Sequence, residues 1–393
     1  MTKGRKKIKR RIGQDRRLSA RRKNSPANKK IGLPDKFFLS LVLILVFIGL
    51  VAIASAGVVV AQLKFNDPYY YFKHQLFLGV IPGLIVMFVL SKINYHWWKK
   101  FSLFFLLAGL VLLLLVLISN YGLELKGARR WINFGFISFQ PIELVKLFLI
   151  IYFAAWLSKK GKTIKKFSDS FVPFVFVLGA VSVLIALQPD IGSLGLVVLI
   201  SLAMFFLAGG SLKHISLLVM VMFLVLLLLI KIEPYRMNRL LVFINPETDV
   251  RGVGWQVKQA AIAIGNGGIF GLGLGHSHQK FNYLPEVVGD SIFAIIAEEL
   301  GLVGVTIILS LYLALVFRGF RLARKAPDRF AAYLILGISL WILLQALINI
   351  MAISGLMPLT GITLPFISYG STSIISLLAG VGIVLNISRF VKK

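Results

Sequence analysis

The run FFLSLVLILVFIGLVAIASAGVV, at residues 37–59, is almost wholly apolar and carries no charge. An α-helix rises about 1.5 Å per residue, so about 20 such residues cross the roughly 30 Å hydrocarbon core of a bilayer. The run therefore predicts a helix that spans a membrane.

Nine further apolar runs of comparable length extend this prediction to most of the chain. Hydrophobic residues make up 58% of the 393 residues and charged residues only 15%, whereas a soluble domain is about half apolar and about a quarter charged. We predict an all-α polytopic membrane protein with ten transmembrane helices. The predicted spans are 37–59, 73–91, 101–119, 141–158, 170–187, 191–209, 213–231, 290–317, 330–353 and 364–388.

The distribution of lysine and arginine predicts the orientation, because short cytoplasmic loops of membrane proteins are enriched in both. With the N-terminus inside, 32 of the 44 Lys and Arg residues fall in cytoplasmic segments. An even number of spans then returns the C-terminus to the cytoplasm. The cytoplasmic segments are 1–36, 91–100, 158–169, 210–214, 318–329 and 389–393.

The first 36 residues hold 15 of the 44 cations and few apolar residues. This composition predicts a disordered cytoplasmic tail. The tail lacks the apolar core of a signal peptide, so we expect it to be retained. A basic tail beside a span is attracted to anionic lipid. We therefore interpret the net charge of +29 as a membrane-surface feature and expect no nucleic acid as a partner.

One extracytoplasmic loop, residues 232–289, interrupts the predicted membrane domain, residues 37–388. Loops of this length are usually functional or disordered, and its apolar residues argue for order. We expect a short interfacial helix at 253–264, followed by compact irregular backbone. Six glycines between 265 and 275 permit close approach to a headgroup, or they only let the loop fold onto the bundle.

Twelve Lys and Arg residues lie on the outer side, against the charge bias, and most fall in two clusters. One cluster includes Arg129, Arg130 and Lys146, and the other runs from Lys231 to Lys280. Two cationic clusters suit a phosphate-bearing substrate. The alternative is that these side chains anchor the protein at lipid headgroups.

Polar side chains inside predicted spans are costly and usually face the bundle interior or a wet cavity. Glu143 and Lys146 share a helical face, and Gln188 and Asp190 flank Pro189 between two spans. Each could instead form a structural polar pair. The candidate substrate-binding residues are Arg129, Arg130, Glu143, Lys146, Gln188, Asp190, Arg236, Arg239, Gln256, Gln259, Gln279, Lys280, Glu286 and Ser368.

Asp290 opens the stretch DSIFAIIAEELG, at residues 290–301, where the loop gives way to the eighth span. Two roles are open for it, and they do not exclude each other. As a helix N-cap it would accept backbone N–H bonds; as a catalytic base it would take a proton at the outer water–lipid boundary. Glu298 lies about 12 Å further along the same helix, on a face of small residues.

The chemistry available on the outer face is limited by the absence of ATP and nucleotide sugars there. The chain also has no phosphate-binding loop of the type G-x-x-x-x-G-K-[ST]. A lipid-linked diphosphate sugar carries its own activated leaving group, which cations can stabilise as it departs. One carboxylate is then enough, as the base for the acceptor hydroxyl.

Four stretches resemble the SEDS family (shape, elongation, division and sporulation), and the resemblance covers roughly residues 35–390. They are GARRWINFGFISFQPIELVKL at 127–147, QPDIGSLG at 188–195, MPLTGITLPFISYGSTS at 357–373, and the loop from YRMNRLL at 235 to AEELG at 301.

The resemblance implies a ten-span peptidoglycan glycosyltransferase that polymerises lipid II outside the bacterial cytoplasmic membrane. It places the family's catalytic aspartate on Asp290. The implied reaction is attack by an N-acetylglucosamine 4-hydroxyl on C1 of N-acetylmuramic acid, which releases undecaprenyl diphosphate. It also implies a class B penicillin-binding protein and other division proteins as partners, and favours the division septum over the elongation machinery.

No protein metal site is expected. The chain has no cysteine, and His276 and His278 lack further ligands beside them, so we interpret them as surface residues. A divalent cation, Mg²⁺ or Mn²⁺, at the diphosphate stays open.

Two other functions compete with polymerisation. A transporter that flips lipid II would need a cavity open to each side in turn and usually internal repeats, and none is convincing here. A scaffold that only recruits a partner would not need Asp290 or outward cations.

Overall fold

The computed structural model describes residues 32–118, 122–125, 128–133, 138–232, 234–249, 252–281 and 283–391. For some residues within these ranges, Arg129 and Arg236 among them, only the backbone is described. The predicted basic tail lies outside the described residues except for 32–36, so its disorder stays a prediction.

The N-terminal half of the described chain consists of helices and one small sheet. The helices are α1 (Lys36–Ala56), α2 (Val58–Phe65), α3 (Tyr70–Gln75), α4 (Ile81–Lys92), α5 (His96–Lys100), α6 (Ser102–Ile118) and α7 (Pro141–Lys160). A π-helical turn, Leu76–Val80, joins α3 to α4. Three antiparallel strands lie between α6 and α7 in the order β1 (Gly122–Leu125), β2 (Ala128–Asn133) and β3 (Ser138–Phe139).

In the C-terminal half of the described chain, all regular secondary structure is helical. A 3₁₀ turn (Gly161–Lys165) and a π-helical turn (Phe167–Phe171) follow α7, and another 3₁₀ turn (Pro246–Thr248) lies in the large loop. The helices are α8 (Val172–Ala186), α9 (Ile191–Leu207), α10 (Leu212–Ile232), α11 (Pro234–Ile244), α12 (Val253–Asn266), α13 (Ile292–Arg324), α14 (Arg329–Ile353) and α15 (Ser371–Ser388).

Every one of the ten predicted spans contains a helix, which confirms the all-α polytopic class. Seven helices of the described residues are long and apolar enough to cross a membrane. The predicted third, sixth and seventh spans coincide with shorter apolar stretches of helix, which are Ser102–Ile118, Ile191–Leu207 and the Leu212–Val225 part of α10. The count of ten crossings therefore stays a prediction. Helix α12 confirms that residues 253–264 are helical, and the location of this helix at the membrane interface stays a prediction.

Two predicted limits are wrong. The tenth helix begins at Ser371 rather than at 364, because Phe366 has φ 64°, which is outside the helical range, and residues 365–369 form a turn and a bend instead. The eighth helix begins at Ile292 and continues to Arg324, beyond the predicted end at 317. The small sheet was not predicted, since its strands are too short to produce a clear alternating pattern.

The interior of the bundle is formed by α7, α14 and α15, the most buried of the long helices. Lipid tails are as apolar as side chains, so helices in membranes associate mainly through close packing of small residues. A Cβ on Gly382 of α15 would lie 2.5 Å from the carbonyl oxygen of Met87 in α4. Only glycine allows the two helices to approach this closely.

Candidate active site

Asp290 lies on the turn before α13 and is half-buried. The Nε2 of Gln256, on α12, donates to Asp290 Oδ1 at 3.4 Å and to Ser291 Oγ at 2.9 Å. The Nδ2 of Asn349, on α14, donates to the carbonyl oxygens of Asp290 at 2.9 Å and Ile362 at 2.7 Å. Amide side chains from two helices therefore position the carboxylate and the backbone of Asp290.

The N-cap interpretation of Asp290 is wrong, because the N-cap of α13 is Ser291. A third segment reaches the carboxylate from the other side, since a Cβ on Gly361 would lie 3.9 Å from Asp290 Oδ2. Asp290 thus lies where the large loop meets the loop between α14 and α15. A half-buried carboxylate held in this way remains open to an acceptor hydroxyl, as a candidate general base must be.

These two loops are also joined at Tyr369, whose backbone N–H donates to the Val288 carbonyl at 2.8 Å. Burial raises the pKa of the Tyr369 hydroxyl well above its usual range, so the hydroxyl stays protonated at neutral pH. It lies 2.9 Å from His74 Nδ1. The segment that carries Asp290 is therefore tied to α3 as well as to α12 and α14.

Glu299 anchors the large loop to the bundle. Its carboxylate is buried and accepts hydrogen bonds from Ser55 Oγ at 2.6 Å and from Lys280 Nζ at 3.3 Å. Lys280 also donates to the Gly275 carbonyl at 2.5 Å. The structure therefore brings Lys280 together with Glu299, in a buried ion pair, and its ammonium serves to hold the loop.

Glu298, the residue before Glu299, also anchors the large loop to the bundle. Its buried carboxylate accepts a hydrogen bond from the hydroxyl of Ser277 and from the backbone N–H groups of His278 and Gln279, the latter two at 3.3 Å each. A carboxylate buried in a bilayer protein is costly unless its lone pairs are occupied. The acidic pair of the AEELG stretch is thus explained by loop attachment.

A break in α13 makes this attachment possible. Gly301 has φ 64° and ψ −166°, which is not helical, and a Cβ on Gly271 would meet the Glu299 carbonyl oxygen. The glycine-rich backbone exchanges hydrogen bonds with the broken helix: Leu272 N to Glu298 O, Gly273 N to Glu299 O, Leu302 N to Gly268 O and Val303 N to Ile269 O, all at 2.9–3.1 Å. The glycines therefore let the loop fold onto the bundle.

A cavity of about 310 Å³ lies beside this centre, at the small end of the range for ligand sites. Its polar lining comes from Arg130, Asp190, Arg239 and Thr360. The remaining lining is mainly apolar and is contributed by Pro189, Ile191, Gly192, Gly195, Leu199, Leu240, Ile348, Met357, Pro358 and Leu359.

Two arginines border this cavity. The guanidinium of Arg130 donates to the carbonyl oxygens of Gln188, at 3.3 Å, and Pro189, and lies 4.0 Å from Asp190 Oδ1. Arg239 Nη1 donates to the Leu359 carbonyl at 2.7 Å. One arginine from each predicted cationic cluster thus lines the same cavity. Leu359 is two residues from Gly361, the residue that approaches Asp290.

Lys146 and Glu143 form a buried pair, with Nζ and Oε1 2.8 Å apart. Lys146 also donates to Gln345 Oε1 at 3.0 Å and lies 5.2 Å from the centre of the Trp341 ring. Gln345 in turn donates to the carbonyl of Thr363 at 3.0 Å. The pair therefore belongs to the bundle interior. It supports the α14–α15 loop through Gln345.

The other candidate residues fall into separate environments. Gln188 donates to the Leu113 carbonyl at 2.9 Å, and Ser368 Oγ accepts from Leu364 N–H at 2.8 Å, so both hold turns. Gln259 is buried on α12, Gln279 is buried in the large loop, and Glu286 is exposed there. The side chains of Arg129 and Arg236 lie outside the described residues.

Sequence reasoning missed Asn349 and Gln345, which hold the backbone on either side of the centre. Both are amides in the otherwise apolar α14, four residues apart on one helical face. A polar side chain within a span is itself a signal of function or of an interior contact, and this signal was present in the sequence.

Metal ligands are sparse near this centre. Within the described ranges, no three His, Cys, Asp or Glu side chains converge closely enough to hold an ion. His276 and His278 are exposed, as predicted.

The chain is similar to known proteins over most of its length. A family model for FtsW, RodA and SpoVE, described as cell cycle protein, matches residues 35–393. Stage V sporulation protein E of Bacillus subtilis is 41% identical to this chain over 357 residues. The match covers 91% of this chain and 97% of the Bacillus subtilis protein. The probable peptidoglycan glycosyltransferase FtsW of Coxiella burnetii is 38% identical over 358 residues, covering 90% and 96%.

Solved structures show the same architecture. A chain from "Structural coordination of polymerization and crosslinking by a peptidoglycan synthase complex" matches with a TM-score of 0.73 and 28% identity, over 91% of this chain and 98% of that one. The rod shape determining protein RodA of Thermus thermophilus matches with a TM-score of 0.68 and 28% identity, over 91% and 97%.

Proposed function

This chain belongs to the FtsW/RodA/SpoVE family of cell cycle proteins, and we propose that it polymerises lipid II at the outer face of the cytoplasmic membrane. It is a polytopic membrane enzyme, a peptidoglycan glycosyltransferase, in line with its relatives named FtsW. The observation that carries the substrate assignment is the connection between Asp290 and the arginine-lined cavity through residues 359–361.

Asp290 acts as the general base in this proposal. Its carboxylate takes the proton of the N-acetylglucosamine 4-hydroxyl while that oxygen attacks C1 of N-acetylmuramic acid. The new C1–O bond replaces the bond from C1 to the diphosphate oxygen. Undecaprenyl diphosphate leaves with the bonding electrons, and the proton remains on Asp290 until water removes it.

Arg130 and Arg239 stabilise the departing diphosphate. Charge develops on the phosphate oxygens as the C1–O bond breaks, and fixed cations in a water-poor site stabilise such charge best. Both guanidinium groups are already oriented by backbone carbonyls at 188–189 and 359. The apolar remainder of the cavity suits the first part of a polyprenyl chain.

The remaining candidates take supporting roles in this proposal. Glu143 and Lys146 hold the α14–α15 loop, and Glu299 with Lys280 holds the large loop, so each pair fixes one of the two segments that meet at Asp290. Contacts of sugar or peptide with Gln259, Gln279, Glu286, Ser368, Arg129 and Arg236 stay predictions.

A divalent cation would enter with the diphosphate rather than occupy a ready-made protein site, because carboxylates and histidines do not converge within the described residues. We derive no step through a metal. Polymerisation in EDTA, followed by addition of Mg²⁺ or Mn²⁺, measures this requirement directly.

The proposal also covers the protein partners of this chain and its location in the cell. One structural match comes from a peptidoglycan synthase complex, and we infer that this chain also works beside a synthase that crosslinks strands, a class B penicillin-binding protein. The sporulation and FtsW relatives favour work at a septum with other division proteins over an elongation role. The basic tail, residues 1–36, would bind anionic lipid.

Polymerisation of lipid II by the purified protein with its cognate penicillin-binding protein tests the function. We expect long glycan strands on a gel and release of undecaprenyl diphosphate. A lipid II flippase would instead reorient lipid II across liposome membranes without releasing diphosphate, and that result would replace the proposal.

A further inference from the structure

A large pocket lies at the end of the bundle opposite to Asp290, on the side predicted to be cytoplasmic. Its volume is about 1010 Å³. Three segments form it: the start of α1 with residues 32–36, the end of α13 with residues 318–325, and the chain end at 388–391. We call it the cytoplasmic pocket.

The lining of this pocket is strongly cationic. Six basic side chains line it, Lys36, Arg318, Arg321, Arg324, Lys325 and Arg389, against the carboxylate of Asp35. Asp35 is already engaged, because it accepts the Phe38 N–H at 2.8 Å and a two-pronged ion pair from Arg318. Of the described residues, no other acidic side chain lines the pocket, so most of its positive charge stays uncompensated.

An apolar groove continues from the pocket along the bundle. It has a volume of about 220 Å³ and is lined by Phe37, Ala314, Phe317, Arg318 and Arg321, so the two arginines belong to both cavities. The rings of Phe37 and Phe317 are 53% and 64% exposed. The combined site has a cationic head and an apolar extension, the shape of a phospholipid.

The positive-inside bias alone does not account for this arrangement. It places cations at the cytoplasmic ends of spans, but it requires neither a concave pocket nor an adjoining groove. The chain's own N-terminal segment is a poor occupant, because residues 1–31 carry 14 Lys and Arg residues and would be repelled by the pocket.

We propose that the cytoplasmic pocket binds the phosphate headgroup of an anionic phospholipid from the inner leaflet, with the first part of one acyl chain in the Phe37–Phe317 groove. Basic pockets between membrane helices on the cytoplasmic side are known to take such headgroups. The groove favours a lipid over a free phosphate, which would use only the cationic part. This site is separate from the catalytic centre and from the tail.

Native mass spectrometry of the full-length protein with added phosphatidylglycerol tests the site. The variant Arg321→Gln/Arg324→Gln/Lys325→Gln removes three pocket cations. The matched control, Lys159→Gln/Lys162→Gln/Lys165→Gln, removes three cations from the same predicted side outside the pocket. We expect the pocket variant to bind phosphatidylglycerol at least about tenfold more weakly, since each cation near a surface contributes substantially, and the control to bind it like the parent.

Two further measurements distinguish a phospholipid site from a site for free phosphate. Glycerol phosphate should bind far more weakly than phosphatidylglycerol, and Phe317→Gln should weaken only the lipid. The proposal would be overturned if the pocket variant and the control variant lost phosphatidylglycerol affinity equally. Equal binding of glycerol phosphate and phosphatidylglycerol would also overturn it. If the triple variant unfolds, competition between phosphatidylglycerol and phosphatidylcholine on the parent protein gives the same decision, because equal binding of both contradicts an anion site.

Discussion

Asn349 Nδ2 donates hydrogen bonds to the Asp290 carbonyl at 2.9 Å and to the Ile362 carbonyl at 2.7 Å. One amide on α14 therefore joins the segment that carries the carboxylate to the loop that borders the arginine-lined cavity. The proposed base and the proposed diphosphate site keep their relative positions through this side chain.

Asn349→Ala should lower the turnover of lipid II by up to on the order of 100-fold, because a small misplacement of a catalytic group can have that effect. Asn386→Ala is the matched control. Asn386 also joins two backbone segments, at the far end of the bundle, because its Nδ2 donates to the Ser91 carbonyl and its Oδ1 accepts the Tyr95 N–H. Equal losses of turnover in both variants would indicate a general structural effect.

The buried pair of Glu143 and Lys146 should behave as a structural unit. Either single variant, Glu143→Gln or Lys146→Met, leaves one charge without its partner and should destabilise the protein by about 3–5 kcal/mol. The double variant should recover most of the thermal stability and part of the polymerisation. A double variant that is stable but fully inactive would instead place the pair in substrate binding.

Gly271→Ala should release the large loop from α13. A Cβ there meets the Glu299 carbonyl oxygen, and φ is +80°, so the cost is at least about 1–3 kcal/mol. Gly265→Ala, where a Cβ meets nothing within 4 Å, is the control. We expect faster proteolysis of the 252–291 segment only in Gly271→Ala, and similar cleavage in both would contradict the anchoring role.

Arg130→Gln should raise the KM for lipid II about tenfold or more, since charged hydrogen bonds contribute about 1.5–3 kcal/mol, with little change in thermal stability. Lys64→Gln removes an exposed outward cation away from the cavity and should leave KM unchanged. Loss of folded protein in Arg130→Gln would show that the arginine supports the 188–190 turn instead.

Hydropathy and charge were enough to predict the bundle, because a span is a local property of about 20 residues. The helix at 253–264 was predictable for the same reason. The start of the last helix was not, since residues 364–370 remain mostly apolar, while the positive φ of Phe366 and the hydrogen bond from Tyr369 to Val288 keep them out of the helix.

The candidate site was only partly predictable. Gln256 and Asp290 are joined by a hydrogen bond in the structure. A contact of this kind is expected when one loop folds back on itself. The pairing of Lys280 with Glu299 depends on the break at Gly301 and on a return path of the glycine-rich backbone. The six glycines at 265–275 allowed for a fold onto the bundle, but no pattern marks the break at Gly301 or the partner of Lys280, so Lys280 was interpreted as a substrate ligand rather than as a loop anchor.

The central claim is that the Asp290 carboxylate removes the acceptor proton. The most direct test is the initial rate of lipid II polymerisation by Asp290→Asn with the cognate penicillin-binding protein, compared with Asp67→Asn. Asp67 lies on the predicted outer side, where its carboxylate pairs with Lys73 and accepts the Tyr69 N–H. We predict a loss of about 10²–10⁴-fold for Asp290→Asn, unchanged thermal unfolding, and parental activity for Asp67→Asn. Full-length polymer at the parental rate from Asp290→Asn would contradict the account.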